Sequence, residues 1–249
     1  FLIQAPLGIL SNSLILPLLP QFSKLRSKKD LRGLQKNLMS GIEYCFLTSI
    51  FLTGFFITFN NQIVQFVFER GAFDYSATLK VKNILIAYAI GIPFYLYRDL
   101  LVRTYYSIEK TKFPFQLSLA GIILNAFFDW FLIGAPIKNF ENLSPYNFGV
   151  VGIILSSGIV NFIVCILLAL NLRNEDIHLP NLDLFKKIIL MSLASLIDSR
   201  ICFTILKTTN KLNSNVEEFL LLIFGSLTFF VIYFLLTKFL KVNKFKVSK

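Results

Sequence analysis

The sequence predicts an all-α protein, a polytopic bundle of about seven membrane-crossing helices. Three observations carry that expectation. Hydrophobic residues make up 55% of the chain and charged residues only 16%, whereas a soluble domain carries about a quarter charged residues. The apolar residues gather into runs near the ~20 residues that cross a ~30 Å hydrocarbon core at about 1.5 Å per residue. The basic residues behind the formal charge of +11 sit in short gaps between those runs. They form no continuous basic face, so nucleic acid is excluded as a partner and membrane lipid headgroups are the expected counter-charge.

The runs cover residues 1–22, 37–59, 83–107, 114–134, 149–172, 185–206 and 218–240, together a helical bundle over 1–240, with a basic tail at 241–249. Phe46 to Phe59 and Phe219 to Leu236 carry no charge on any face, where a soluble amphipathic helix shows a polar stripe every three or four residues. The first run already contains Gln4, Pro6 and Asn12 and lacks a charged leader, unlike a signal peptide. It reads as a helix entered partway, and the chain as the C-terminal part of something longer.

Lys and Arg in short loops stay on the cytoplasmic side. The gap after the first run holds Lys24, Arg26, Lys28, Lys29, Arg32 and Lys36, and alternate gaps and the tail are also basic. This predicts a multi-pass protein of the cell inner (cytoplasmic) membrane with a cytoplasmic C-terminus and a first run that descends inward. The gap at 60–82 is too long for a turn, and Ile63, Val64, Phe66, Val67 and Phe68 predict a short interfacial helix. Gly71 is suited to stop it, and Asp74 or Ser76 to cap the next helix.

Enzyme chemistry finds little support. The sequence has no phosphate-binding glycine loop, no dinucleotide fingerprint and no metal-spaced His/Cys set, so neither metal nor cofactor is expected. Cys45, Cys165 and Cys202 lie in separate apolar runs and read as packing residues. His178, beside Glu175 and Asp176, reads as a solvated loop side chain, and Asn142-Leu143-Ser144 as a chance sequon.

Charges inside the apolar runs are more telling, because each costs at least ~2.5–3.5 kcal/mol at a helix centre unless it meets water or a partner. Asp99 and Arg103 are four residues apart with the acid first, the favourable order for an ion pair on one helix face. Arg98 points about 100° away from Asp99 and has no partner on its own helix. Its guanidinium fork matches phosphate oxygens, which makes it the leading candidate for a ligand cation. Asp198 and Arg200 are expected to pack or to reach the outer interface. Asp129, beside Trp130, and Glu43 read as interfacial anchors. The first run is unusual for a lipid-facing helix, with Gln4, Pro6, Gly8, Ser11, Asn12, Ser13, Pro17 and Pro20 close together. Such broken helices occur where they line a cavity or pack on protein.

The motifs, taken together, resemble the MurJ/MviN lipid II flippase family of the MATE-like exporter superfamily. Gln4-Ala5-Pro6-Leu7-Gly8 followed by Leu18-Leu19-Pro20 resembles the family's eighth helix, which ends in Leu-Pro before a basic loop. Phe68-Glu69-Arg70-Gly71-Ala72-Phe73 resembles its periplasmic R-G-x-F loop. Tyr88 to Gly91, then Arg103, Tyr105-Tyr106-Ser107 and Pro114, resembles its tenth helix and the turn after it. The likeness runs along the whole chain, from the eighth helix to the fourteenth. Two departures stand out: Phe1 replaces a cavity arginine, and Lys110 and Phe113 replace the Asp and second Thr of the D-T-x-T-P turn.

The resemblance implies the C-terminal lobe of a fourteen-helix transporter. Such a protein exports undecaprenyl-diphosphate-linked peptidoglycan precursor (lipid II) by alternating access against an N-terminal lobe absent from this sequence. On that reading the substrate-binding candidates are Arg98, Arg103, Gln4 and Asn12. The structural or gating candidates are Pro6, Gly8, Pro20, Arg70, Gly71, Phe73, Asp99, Tyr106 and Pro114. The alternatives are a polysaccharide-lipid flippase or drug exporter of the same superfamily, or a membrane-embedded enzyme acting on a polyprenyl substrate.

Overall fold

The computed structural model describes residues 3–68, 75–134, 146–177, 179, 182–209 and 215–239, with side chains omitted at 75, 76, 182, 203, 205–209 and 215–222. The expectations for Arg70, Gly71, Phe73, Asp74, Asn142, His178 and the tail lie outside the described residues. The described chain is helical throughout, without strands among those residues, and five helices are long and apolar enough to cross a membrane.

The first apolar run is a broken helix. α1 (Gln4–Leu10) passes into a π-helical turn (Ser11–Ile15) and then into α2 (Leu18–Ser27). Pro6 sits in the first turn of α1, where an N–H has no helical acceptor anyway. Pro17 has no N–H to give to the carbonyl one turn back, and the chain widens just before it, with the Leu16 amide bonding the Ser11 carbonyl at 3.0 Å. The turn to α3 (Leu31–Thr58) is set by Lys29, left-handed at φ 57°, and by Asp30, whose carboxylate caps the Gly33 amide at 2.8 Å. α3 therefore begins before the apolar run does. Leu34 and Leu38 are buried on one face while Arg32 and Lys36 stay exposed on the other.

α4 (Asn60–Phe68) is a short helix that turns off the end of α3 and rests on α5 (Tyr75–Ser107) and α9 (Asn215–Phe239). α5 is the longest element at 33 residues and holds Pro93 near its middle. Without an N–H at Pro93 the carbonyl of Ala89 loses its helical donor. The Thr53 hydroxyl of α3 donates to that carbonyl at 2.8 Å.

α6 (Lys112–Ile133) and α7 (Val150–Asn171) form a pair, α6 with Pro114 buried in its first turn. α6 ends on Gly134 (φ 89°), and its last carbonyls are taken by incoming amides, Phe148 to Leu132 and Gly149 to Ile133, both at 3.0 Å. α5 packs chiefly on α7 and α3. Its crossing with α7 is at Gly91 and Gly158, where a methyl group on either would meet the other's Cα within 4.0 Å. Tyr105 then ties the two helices, donating to the Leu168 carbonyl at 2.9 Å and accepting from the Asn171 amide at 3.1 Å.

α8 (Leu182–Thr209) lies along α3 and leads on to α9. Gly54 of α3 leaves room for the Ser195 hydroxyl, and one turn on Thr58 bonds Ser199 at 2.9 Å. Glu43 and Lys187 close the other end of this contact at 2.5 Å. Glu43 is thus half-buried in an inter-helix ion pair. Phe51, Phe55, Phe59 and Phe229 pack their rings between α3 and α9.

Candidate functional site

A cavity of about 620 Å³ lies between α1, α5, α6 and α7. Its polar lining comes from Gln4 on α1, Tyr88, Tyr95 and Arg98 on α5, Ser118 and Asn125 on α6, and Ser157 and Asn161 on α7. Arg98 is the only ionised side chain among those lining residues. It donates to the Asn161 side-chain oxygen at 2.8 Å, a neutral acceptor that fixes the guanidinium without cancelling its charge. Asn125 is a second unspent group, with its side-chain oxygen buried and unpartnered. Gly8 keeps the α1 wall thin, and no atom stands within 4 Å of where its Cβ would be.

Arg103 has a different environment. Its Nε bonds Asp99 Oδ1 at 3.1 Å, and its Nη2 bonds the Ser11 hydroxyl at 3.1 Å. The Ser11 hydroxyl in turn donates to the other Asp99 oxygen. This triad joins the π turn to α5 and leaves the pair outside the cavity lining. Asp99 and Arg103 therefore form the ion pair that their spacing predicts, closed by a residue from another helix.

The remaining candidates scatter. Asn12 is exposed on the π turn and lines neither this cavity nor the apolar groove on the far side of α1. Pro20 is exposed on α2, Tyr106 is 51% exposed near the end of α5, and Pro114 is buried. Asp129 is half-buried near the end of α6 and accepts from Ser156 of α7, an inter-helix contact. Asp198 is fully buried on α8, accepting weakly from the Cys202 thiol at 3.6 Å, with its second oxygen unpartnered.

That groove, of about 480 Å³, runs between Pro6, Ile9 and Leu10 of α1, Leu47, Phe51 and Leu52 of α3, and Phe230 and Phe234 of α9. Thr48 and Tyr233 also line it, and the Tyr233 hydroxyl is turned away to the Leu47 carbonyl at 2.9 Å. α1 thus stands between a singly charged cavity of mixed lining and an apolar groove. The α7 contribution, Ser157 and Asn161, escaped the sequence reading. Its signal is a pair of polar residues four apart in an otherwise apolar run, which puts both on one helix face.

A family model described as "Lipid II flippase MurJ" matches residues 1–234. The chain belongs to the MurJ lipid II flippase family. A probable MurJ of Synechocystis sp. is 38% identical over 161 residues, covering 65% of this chain and 28% of that protein. A MurJ of Thermosipho africanus is 41% identical over 76 residues, covering 29% of this chain and 16% of that one. Among solved structures, "Lipid II flippase MurJ, inward closed conformation" superposes with a TM-score of 0.71 at 23% identity, covering 96% of this chain and 45% of that one. The last match shows the shared fold. The chain spans less than half the length of the relatives it matches. The MurJ relatives are named as lipid II flippases, and with the apolar helices seen here the chain is a multi-pass membrane protein.

Proposed function

We propose that this chain is the C-terminal portion of a flippase that carries undecaprenyl-diphosphate-linked peptidoglycan precursor across the cytoplasmic membrane by alternating access. One observation carries the reading: a cavity of mixed lining that holds one uncancelled cation, and a groove with an apolar surface, share α1 as their wall. The substrate has the same division, with a charged, sugar-bearing head and a long hydrocarbon tail. Arg98 offers donors to diphosphate oxygens, and Gln4, Ser157 and Asn125 offer neutral hydrogen bonds to the head. The tail needs no polar partner and stays in the groove beside lipid. No covalent chemistry is required. A second, N-terminal lobe supplies the opposing wall of the cavity. The basic turn between α2 and α3 faces the cytoplasm, as does the C-terminus, in keeping with the loop charges.

The test uses the full-length protein in proteoliposomes with a fluorescent lipid II. Thr48→Trp, which fills the groove, should slow translocation while leaving binding of a short-tailed diphosphate analogue intact. Arg98→Ala should weaken both. Wild-type translocation by both variants would overturn the reading.

A further inference from the structure

Side-chain hydrogen bonds to other helices are unevenly spread along α5, although both halves reach the core, the first through Thr78, Leu85, Ala89 and Ile92. After Pro93 the helix is fastened to its neighbours by side-chain bonds: Arg98 to Asn161, Asp99 and Arg103 to Ser11, and Tyr105 to Leu168 and Asn171. From Leu79 to Ile92 the only side-chain hydrogen bond to another helix among the described residues is Thr53 to the Ala89 carbonyl. That half also borders the cavity, through Ala87, Tyr88 and Gly91, so one of its flanks faces open volume. Its crossing with α7 is glycine on glycine, Gly91 over Gly158, which interlocks no side chains. A proline that deletes a backbone bond is a recognised cause of a helix bend.

We propose that Pro93 is a hinge and Thr53 its latch: the stretch of α5 from Leu79 to Ile92 bends about the Gly91–Gly158 contact while the later half stays clamped to the π turn and α7. In the latched state the Thr53 hydroxyl satisfies the carbonyl that Pro93 orphans. When the hinge bends, that carbonyl turns toward the cavity and takes water in place of the hydroxyl. The swing moves Tyr88 against Gln4, and so changes the cavity mouth without moving Arg98. The device depends on helix mechanics alone, and its test needs no substrate.

The test measures distances between spin labels by electron resonance, in the full-length protein in nanodiscs with Cys45, Cys165 and Cys202 replaced. Labels at Lys80 and Val150 report the half before the hinge, and labels at Tyr106 and Leu170 report the clamped half. The first pair should give a broad or two-peaked distribution and the second a single narrow one. Pro93→Ala, which restores the amide, should collapse the first distribution to its latched peak. Thr53→Val should enrich the longer- or shorter-distance population about fivefold, the value of one ordinary hydrogen bond, and Thr53→Ser should not. Equal widths for the two pairs in the wild type would overturn the hinge even if a variant fails to fold. A distribution unchanged by Pro93→Ala would do the same.

Discussion

The Arg98 guanidinium is held by the side-chain oxygen of Asn161, 2.8 Å away across the α5–α7 interface. An acidic partner there would have neutralised the cation and closed the cavity to anions. The amide orients the fork and leaves its charge available.

Arg98→Ala should therefore lower transport tenfold to a hundredfold, the size of one lost charge-assisted hydrogen bond of about 1.5–3 kcal/mol. Asn161→Ala frees the guanidinium but keeps its charge, and should cost less. Arg98→Lys, a point charge without the fork, should fall between them. Initial rates of precursor translocation order the three, and a result with Asn161→Ala the most harmful would break the ranking.

Arg103 should behave oppositely, because its charge is already spent on Asp99 and Ser11. Arg103→Gln should reduce stability by about 1–3 kcal/mol by leaving the Asp99 carboxylate short of donors. The double variant Asp99→Asn with Arg103→Gln should recover part of that loss. Thermal unfolding in detergent measures both, and an additive double variant would show that the two side chains are not coupled.

Gly54 is the close-approach point between α3 and α8, since any Cβ there meets the Ser195 hydroxyl. Gly54→Ala should cost about 1–3 kcal/mol by forcing the helices apart. Adding Ser195→Gly should restore much of it. Hydrogen exchange along α8 should rise in the single variant and fall back in the double.

The Glu43–Lys187 pair ties α3 to α8 at 2.5 Å with both side chains less than a third exposed. Glu43→Lys should destabilise the protein, and Glu43→Lys with Lys187→Glu should regain most of the loss. If the swapped pair is no better than the single reversal, the contact is crowding without attraction.

Much of the fold was legible in the sequence because apolar runs near membrane-crossing length leave little choice of element. Ile63 to Phe68, apolar residues in a gap too long for a turn, announced the short helix α4. Boundaries were harder. Counting apolar residues stops at Arg32 and Lys36, yet α3 continues through them, since Asp30 caps the helix and only one face needs to be greasy. Arg98 was legible as a cation with no neighbour on its own helix. Asn161 was not, because a partner across a helix interface has no sequence spacing. Asn12 and Ser11 show a third limit. The group that decides between them, the Asp99–Arg103 pair, sits on another helix and has no sequence spacing to either residue.

α1 puts successive residues to two uses: Gln4, Leu7 and Gly8 face the charged cavity, while Ala5, Pro6 and Ile9 face the apolar groove. A helix that is a party wall cannot be remodelled for one tenant alone. Any rotation of α1 that widens the cavity narrows the groove, so a change made on one side is felt on the other.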